Sequence, residues 1–138
     1  MTFKQFLTEI FTWWNGQTMG TRFHTWRNGE LVGQDEFGNL YFRSKGRAID
    51  PALGTERRWV IYNGLAEPSR TPPEWRGWLC HTYDKAPSEE AFPRRPWEKD
   101  HQENLTGTPR AYRPQGSTLG EGQRPAATGD YVAWTPGD

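Results

Sequence analysis

One continuous stretch, residues 31–79, constrains the fold most tightly, because strand, turn and helix signals follow one another in it without interruption. Residues 35–39 are types that tolerate a positive φ or hydrogen-bond their own backbone, and they separate two short apolar runs. This pattern predicts a β-hairpin with a connection of three to five residues and room for a bulge. Residues 59–62 form an apolar run that suits a central strand. Residues 21–26 alternate as a further strand would, so we expect a meander of three or four strands.

A short amphipathic helix is predicted to follow the sheet. Thr71 is a favourable N-cap, Pro72 suits the first helical position, and Glu74 stands three residues after Thr71 as a capping box requires. We interpret its tryptophans as the cover of a small core over the sheet, with binding of a partner as the alternative. The residues assigned to this core are Trp59, Ile61, Trp75, Trp78 and Leu79.

Residues 3–14 carry the clearest helical periodicity, with apolar side chains at i, i+3, i+4, i+7, i+8 and i+11. At about 1.5 Å per residue such a helix reaches about 18 Å, which is too short to span a bilayer. Its apolar face has three interpretations: packing on the protein's own sheet, docking on a partner subunit, or lying in a membrane interface. The members of this face are Phe3, Phe6, Leu7, Ile10, Phe11 and Trp14.

From residue 85 onward the chain carries seven prolines and six glycines in 54 residues, which disfavours both helix and central strand. Aromatic residues are nevertheless dotted through this segment. We interpret it as an extended arm whose aromatics fit pockets on a partner, and a flexible tail is the alternative. The predicted organisation is an N-terminal helix (1–16), a sheet-plus-helix core (17–84) and the arm (85–138). The docking residues assigned to the arm are Trp97, Tyr112, Tyr131 and Trp134.

The composition restricts the class of protein. Hydrophobic residues make up 33% of the chain and the mean hydropathy is −0.97, both low for an independent globular protein. Aromatic residues make up 14%, including 8 Trp, which argues against a simply disordered chain. A small aromatic core with long extensions, stabilised by contact with something larger, fits both facts.

The charges predict no nucleic-acid partner. The chain has 17 basic and 17 acidic residues, so it lacks the positive surplus of a nucleic-acid-binding protein. Basic residues are concentrated locally at 43–58, where they form either a solvated loop or a docking patch for an acidic partner surface. The N-terminus has no secretory signal and no presequence, so we expect the chain to stay in the compartment where it is made.

We find no catalytic constellation. The single cysteine excludes an intrachain disulfide framework and a multi-cysteine zinc site. The three histidines lack ligand spacing, and no nucleotide-phosphate motif is present. We therefore expect a protein that is not an enzyme and has no cofactor, no metal and no small-molecule substrate.

Three motifs carry a family resemblance: VGQDEFGNLYF at 32–42, RWVIY at 58–62 and PPEWRGWL at 72–79. Together they resemble a family of small accessory subunits of respiratory complex I, NADH:ubiquinone oxidoreductase, which is related to the assembly factor mimitin. Segments of the arm resemble the bacterial branch of that family. These segments are NLTGTP at 104–109, AYRP at 111–114, ATGDY at 127–131 and WTP at 134–136.

The resemblance implies a non-catalytic subunit without a cofactor of its own. It implies a position where the hydrophilic arm of complex I meets the membrane arm, against the iron–sulphur and quinone-site subunits, with the N-terminal helix near the membrane surface. It further implies a peripheral protein on the cytoplasmic face of a bacterial plasma membrane, or on the matrix side of the mitochondrial inner membrane in a eukaryote. The alternatives are a transient assembly factor of complex I and a small β-barrel module that binds nucleic acid.

Overall fold

A computed structural model describes residues 2–12, 15–120, 122–131 and 134–137. The chain divides into two compact units, Met1–Asn104 and Leu105–Asp138. In the described part of the chain, none of the helices is both long enough and apolar enough to cross a membrane. The helices and strands, in chain order, are α1 (Phe3–Phe11), α2 (Met19–Asn28), β1 (Gly29–Gln34), β2 (Leu40–Ser44), β3 (Arg58–Ile61) and α3 (Pro73–Leu79).

The three strands form one antiparallel sheet in the order β1-β2-β3. Residues 35–39 connect β1 to β2, and the register shifts between Leu31 and Gly33, so the predicted hairpin with a bulge is confirmed. The predicted α+β class is confirmed as well. The prediction that the third strand is central was wrong, because β2 occupies the middle of the sheet. The apolar run in β3 is explained instead by cover on both of its faces.

The hairpin connection is held by one carboxylate that accepts four hydrogen bonds. Asp35 Oδ1 accepts from the backbone N–H groups of Phe37 and Asn39, both at 2.9 Å. Asp35 Oδ2 accepts from the Asn39 amide and from the Tyr41 hydroxyl, both at 2.8 Å. Asn39 is fully buried, and its Oδ1 accepts from the Asn63 N–H at 3.0 Å. The 35–41 part of the first motif therefore specifies the turn itself.

The core lies between one face of the sheet and α3. The Tyr41 ring stacks on Trp75 with ring centroids 3.9 Å apart, and Trp75 meets Trp78 edge to face at 5.8 Å. A Cβ at Gly33 would lie 2.8 Å from the Trp75 ring, so this position requires glycine for close approach. The other residues of the cluster are Ala86, Val32, Val60 and Leu79.

The end of α3 is fixed by a buried arginine. The Arg58 guanidinium lies 4.8 Å from the centroid of the Trp78 ring and donates to the backbone carbonyls of Trp78 (2.7 Å) and Tyr83 (2.8 Å). It also pairs with Glu56 at 2.8 Å. A Cβ at Gly77 would overlap the Tyr83 ring, so the glycine in PPEWRGWL is required for this packing.

The strand predicted at 21–26 was wrong, since these residues lie within α2. Thr18 caps this helix by accepting a hydrogen bond from the Thr21 N–H at 3.2 Å. Thr25 is buried against the sheet, where its Oγ1 accepts a hydrogen bond from Trp59 Nε1 at 3.0 Å. A six-residue alternation is a weak strand signal, and here the N-cap and this tertiary bond select the helix.

The five residues assigned to one core are divided by the structure between the two faces of the sheet. Trp75 and Trp78 are buried beside Tyr41, and Leu79 packs against them. Trp59 and Ile61 pair with Phe42 and Leu40 across the strands, on the opposite face from Tyr41 and Val60. Trp59 contacts His24 and Phe42 there, so α2 covers the second face of the sheet.

The predicted start of α3 was wrong by one residue. The helix begins at Pro73 with Pro72 at the N-cap position, and no side chain caps it. Thr71 is buried, and its hydroxyl lies 3.2 Å from the Tyr62 hydroxyl. The threonine therefore bonds across the fold to the residue after β3 and is not used as a cap.

Candidate docking surface

The structure gives α1 clear boundaries. Thr2 and Gln5 form a capping box, in which Thr2 N–H donates to Gln5 Oε1 at 2.8 Å and Gln5 N–H donates to Thr2 Oγ1 at 3.3 Å. The helix ends at Phe11, and Thr12 N–H donates to the Thr8 carbonyl at 2.8 Å. The prediction extended the helix to Trp14, which lies outside the described residues.

An ordinary packed helix buries its apolar side chains, whereas α1 buries a charged one. Its one buried residue is Glu9, whose carboxylate pairs with Arg22 of α2. Arg22 Nε donates to Glu9 Oε2 at 2.9 Å, and this bond raises the pKa of the Arg22 guanidinium. The helix is thus held to α2 through a polar side chain, and none of its apolar side chains is buried.

Five apolar side chains of α1 face solvent, and we call them the α1 apolar face. Phe3 is 77% exposed and Phe11 is 76% exposed. Covering a side chain of this kind contributes about 1.5–3 kcal/mol, so the face can supply substantial binding energy to a partner. The α1 apolar face consists of Phe3, Phe6, Leu7, Ile10 and Phe11.

Two aromatic residues of α2 are exposed in the same way. Phe23 and Trp26 lie one helical turn apart, with ring centroids at 5.8 Å. The sequence analysis missed this pair because the predicted strand placed the two side chains on opposite sides. Their i, i+3 spacing was the signal that could have found them.

The aromatic residues assigned to the arm are exposed as well, and they are distributed over the two units. Residues 85–104 belong to the first unit, where Ser88 Oγ donates to the Val32 carbonyl at 2.9 Å and His101 Nε2 lies 2.8 Å from the Ser69 carbonyl. Trp97 of this segment is 77% exposed.

The second unit is a series of local turns. Thr108 N–H donates to the Leu105 carbonyl at 3.0 Å, and Asp130 N–H donates to the Ala127 carbonyl at 3.0 Å. Arg124 Nη1 donates to Asp130 Oδ2 at 2.9 Å, and this pair lowers the pKa of the Asp130 carboxyl. The exposed aromatic residues of this unit are Tyr112, Tyr131 and Trp134.

The exposed side chains of the described residues provide apolar contact surface. Within the described ranges, no three His, Cys, Asp or Glu side chains are grouped so that they could hold a metal ion. The motif residues are used in packing: Asp35 and Tyr41 build the hairpin, and Trp75 and Trp78 build the core. The exposed apolar residues are therefore the candidates for function.

Comparison with known proteins identifies relatives over most of the chain. The family model described as NADH ubiquinone oxidoreductase subunit NDUFA12 matches residues 29–136, which begin at the first residue of β1. A Caenorhabditis elegans protein, named as a probable NADH dehydrogenase [ubiquinone] 1 alpha subcomplex subunit 12, is 35% identical over 83 residues. That match covers 58% of this chain and 54% of the nematode protein, so the chain spans about half of that relative's length.

Two further relatives come from a plant and a bacterium. An Arabidopsis thaliana protein, which has the same name as the nematode protein, is 35% identical over 130 residues, covering 88% of this chain and 76% of the plant protein. An uncharacterised Rickettsia prowazekii protein is 39% identical over 72 residues, covering 51% of this chain and 67% of the bacterial one. The chain therefore belongs to the NADH ubiquinone oxidoreductase subunit NDUFA12 family.

Proposed function

We propose that this chain is a non-catalytic accessory subunit of respiratory complex I. The observation that carries the proposal is the family match over residues 29–136, which includes both the core and most of the second unit. The nematode and plant relatives are named as subunits of NADH dehydrogenase. The use of the motif residues in packing supports a structural role and not a chemical one.

The subunit stabilises the junction between the hydrophilic arm and the membrane arm, beside the quinone-binding module. It docks there on iron–sulphur and quinone-site subunits, as a peripheral protein on the cytoplasmic face of a bacterial plasma membrane. The reversed burial of α1 supports such docking, because a helix that buries Glu9 and exposes Phe3 and Phe11 lacks a partner for its apolar side. When a partner covers this face, the burial of its apolar side chains stabilises the complex.

The second unit attaches the subunit to its neighbours. Its local turns bury little surface, and its exposed residues Tyr112, Tyr131 and Trp134 are the types that dominate binding energy at interfaces. A proline- and glycine-rich chain of this kind loses its conformational entropy on binding, which lowers affinity per area but lets it contact a large surface.

Mass spectrometry of native complex I isolated from the source membranes tests the proposal. Stoichiometric presence of the chain in the active enzyme is the expected result. Recovery of the chain only in small, inactive subcomplexes would indicate a transient assembly factor and not a permanent subunit. Absence from both fractions would contradict the proposal.

A pair of variants tests the docking role of the α1 apolar face. Ile10→Asp places a charge on this face, and the lost burial predicts binding to the complex about tenfold weaker or worse. Leu65→Asp is the matched control, because Leu65 is an apolar residue of similar exposure outside this face. Retention of each variant in native complex I is the measurement. Equal retention of both variants would remove α1 from the docking surface.

A further inference from the structure

Three asparagines of the chain are followed directly by glycine, and they are Asn15, Asn28 and Asn63. We propose that Asn15 is a site of spontaneous deamidation in the folded protein, whereas the fold protects Asn28 and Asn63 from the same reaction. The inference goes beyond the proposed function, because it concerns a covalent change of the free chain and requires no partner subunit.

The reaction uses the chain and water alone. The backbone nitrogen of Gly16 attacks the side-chain carbonyl carbon of Asn15, a C–N bond forms, and the proton of that N–H leaves with the amide nitrogen as ammonia. Water then opens the resulting succinimide ring at either of its carbonyl carbons, which gives aspartate or isoaspartate at position 15. Glycine favours the first step, because it has no Cβ beside the attacking nitrogen and its backbone adopts many conformations.

Two conditions decide which of the three Asn–Gly pairs can react. The side-chain amide of the asparagine must be free to rotate towards the next backbone nitrogen, and that nitrogen must not donate a hydrogen bond within the fold. Where such a bond has to open first, the rate falls with the population of the open state. Since the three pairs have the same local chemistry, the structure around them decides their relative rates.

The pair at Asn28 meets neither condition. Asn28 is the last residue of α2, and the Gly29 N–H donates to the Thr25 carbonyl, which closes the helix. Asn28 Nδ2 lies 3.3 Å from His24 Nδ1, so the side-chain amide is also engaged. Because β1 begins directly at Gly29, attack on Asn28 requires the end of the helix and the start of the strand to open together.

The pair at Asn63 fails the first condition. Asn63 Nδ2 donates to the Phe37 carbonyl at 3.1 Å, and the Asn63 N–H donates to Oδ1 of the buried Asn39 at 3.0 Å. The Asn63 carbonyl accepts from Arg70 Nη1 at 3.0 Å. The side chain and the backbone of Asn63 are thus both held in place, although the residue itself is exposed.

Asn15 meets both conditions. It is exposed and lies in the connection between α1 and α2. Its backbone forms an isolated bridge to Leu65 and accepts a hydrogen bond from the Gln17 N–H at 3.1 Å, and neither contact involves its side chain. Among the residues that the structure describes, no hydrogen bond holds the Asn15 side chain or the Gly16 N–H.

Deamidation changes the charge beside α1. Asn15 lines a cavity of about 530 Å³ together with Glu9 and Arg22, the ion pair that holds α1 to α2. Among the described residues that line this cavity, Arg22 is the single cation, and it is already paired. A carboxylate in place of the neutral amide therefore adds a negative charge that competes with Glu9 for Arg22.

Peptide mapping by mass spectrometry tests the inference, because trypsin places the three pairs in different peptides, residues 5–22, 28–43 and 59–70. The purified full chain is incubated near neutral pH, either folded or in guanidinium chloride, and is then digested under mildly acidic conditions. The rate in the folded chain is divided by the rate of the same peptide in denaturant. This ratio should stay within about threefold of unity for Asn15 and fall at least about tenfold for Asn28 and Asn63.

A pair of variants assigns the reaction to one residue. Asn15→Gln keeps the amide but lengthens the side chain, so the ring that must close is larger and forms far more slowly. This variant should lose the mass shift of peptide 5–22 in the folded chain, and the matched control Asn28→Gln should keep it. Equal rate ratios at the three asparagines would overturn the inference, and so would a mass shift of peptide 5–22 that persists in Asn15→Gln.

The outcome is independent of the proposed function, because every measurement uses the free chain. Absence of the chain from native complex I would reject the subunit role and leave the three rate ratios unchanged. Equal rate ratios would reject the deamidation site and leave the subunit role unchanged.

Discussion

The core and the second unit use the same aromatic residue types in opposite ways. Tyr41 and Trp78 are buried in the core, at 0% and 1% exposure, and contact Trp75 or Arg58. Tyr131 and Trp134 of the second unit are exposed. The motif residues that identify the family therefore hold the fold together. The apolar residues available for binding lie outside those motifs, on α1, on α2 and in the second unit.

The largest loss of stability is expected from a substitution in the core. Trp78→Ala removes a side chain that packs on Trp75 and under Arg58, and it should destabilise the protein by about 3–5 kcal/mol. Trp97→Ala removes an exposed ring and should change stability by less than about 0.5 kcal/mol. Urea unfolding of both variants is the measurement. Equal losses of unfolding free energy in the two variants would mean that the buried Trp78 contributes no more to stability than the exposed Trp97.

A smaller effect is expected where α3 approaches the following turn. Gly77→Ala brings a Cβ into the space of the Tyr83 ring, and overpacking of this kind costs about 1–3 kcal/mol. Gly129→Ala in the second unit is the control, because a Cβ there has no atom within 4 Å. Thermal unfolding compares the two variants. An unchanged midpoint for Gly77→Ala would show that the packing at Tyr83 is loose.

Alkaline pH should weaken the core selectively through Tyr41. Burial, followed by the hydrogen bond to Asp35, raises the pKa of the Tyr41 hydroxyl. The unfolded chain ionises near pH 10, so this stabilisation is present below about pH 10 and is lost above it, by up to about 1.4 kcal/mol per pH unit. Unfolding free energies of the wild type and Tyr41→Phe between about pH 9 and pH 11 measure it. Parallel pH profiles of the two proteins would contradict the prediction.

The smallest effect on stability is expected for an exposed aromatic residue of the second unit. Trp134→Ala should leave the unfolding free energy of the isolated chain within about 0.5 kcal/mol of the wild type, because the ring is exposed. The same substitution should weaken retention in complex I, since exposed tryptophans are frequent binding hot spots. Chemical unfolding and co-purification are the two measurements. A loss of unfolding free energy as large as that of Trp78→Ala would show that Trp134 stabilises the free chain as the core tryptophans do.

Much of the first unit follows from local sequence signals. The hairpin connection at 35–39 could be predicted because turn residues act over a few positions, and the start of α1 at Phe3 because the apolar periodicity begins there. The side of the sheet on which Trp59 lies was also accessible, since strand periodicity places it opposite Val60. The sequence analysis grouped it with Trp75 because both are large and apolar.

Other features depend on contacts between distant residues. The 21–26 segment is a helix capped by Thr18, and Thr25 of this helix bonds Trp59 across the fold, a contact that no local pattern reveals. The cap of α3 was misassigned because Thr71 contacts Tyr62 instead. Likewise, the basic region gave no prediction by itself, because only the structure shows which arginines are paired and that Lys45 is not.

The most direct test of the account is hydrogen–deuterium exchange of the chain, free and within isolated complex I. We predict that the amides of α1 and of the described residues of the second unit exchange rapidly in the free chain and become strongly protected in the complex. Those of β2, β3 and α3 should be protected equally in both states. Protection of α1 and the second unit that does not change on assembly would contradict the claim that these exposed apolar residues are the docking surface.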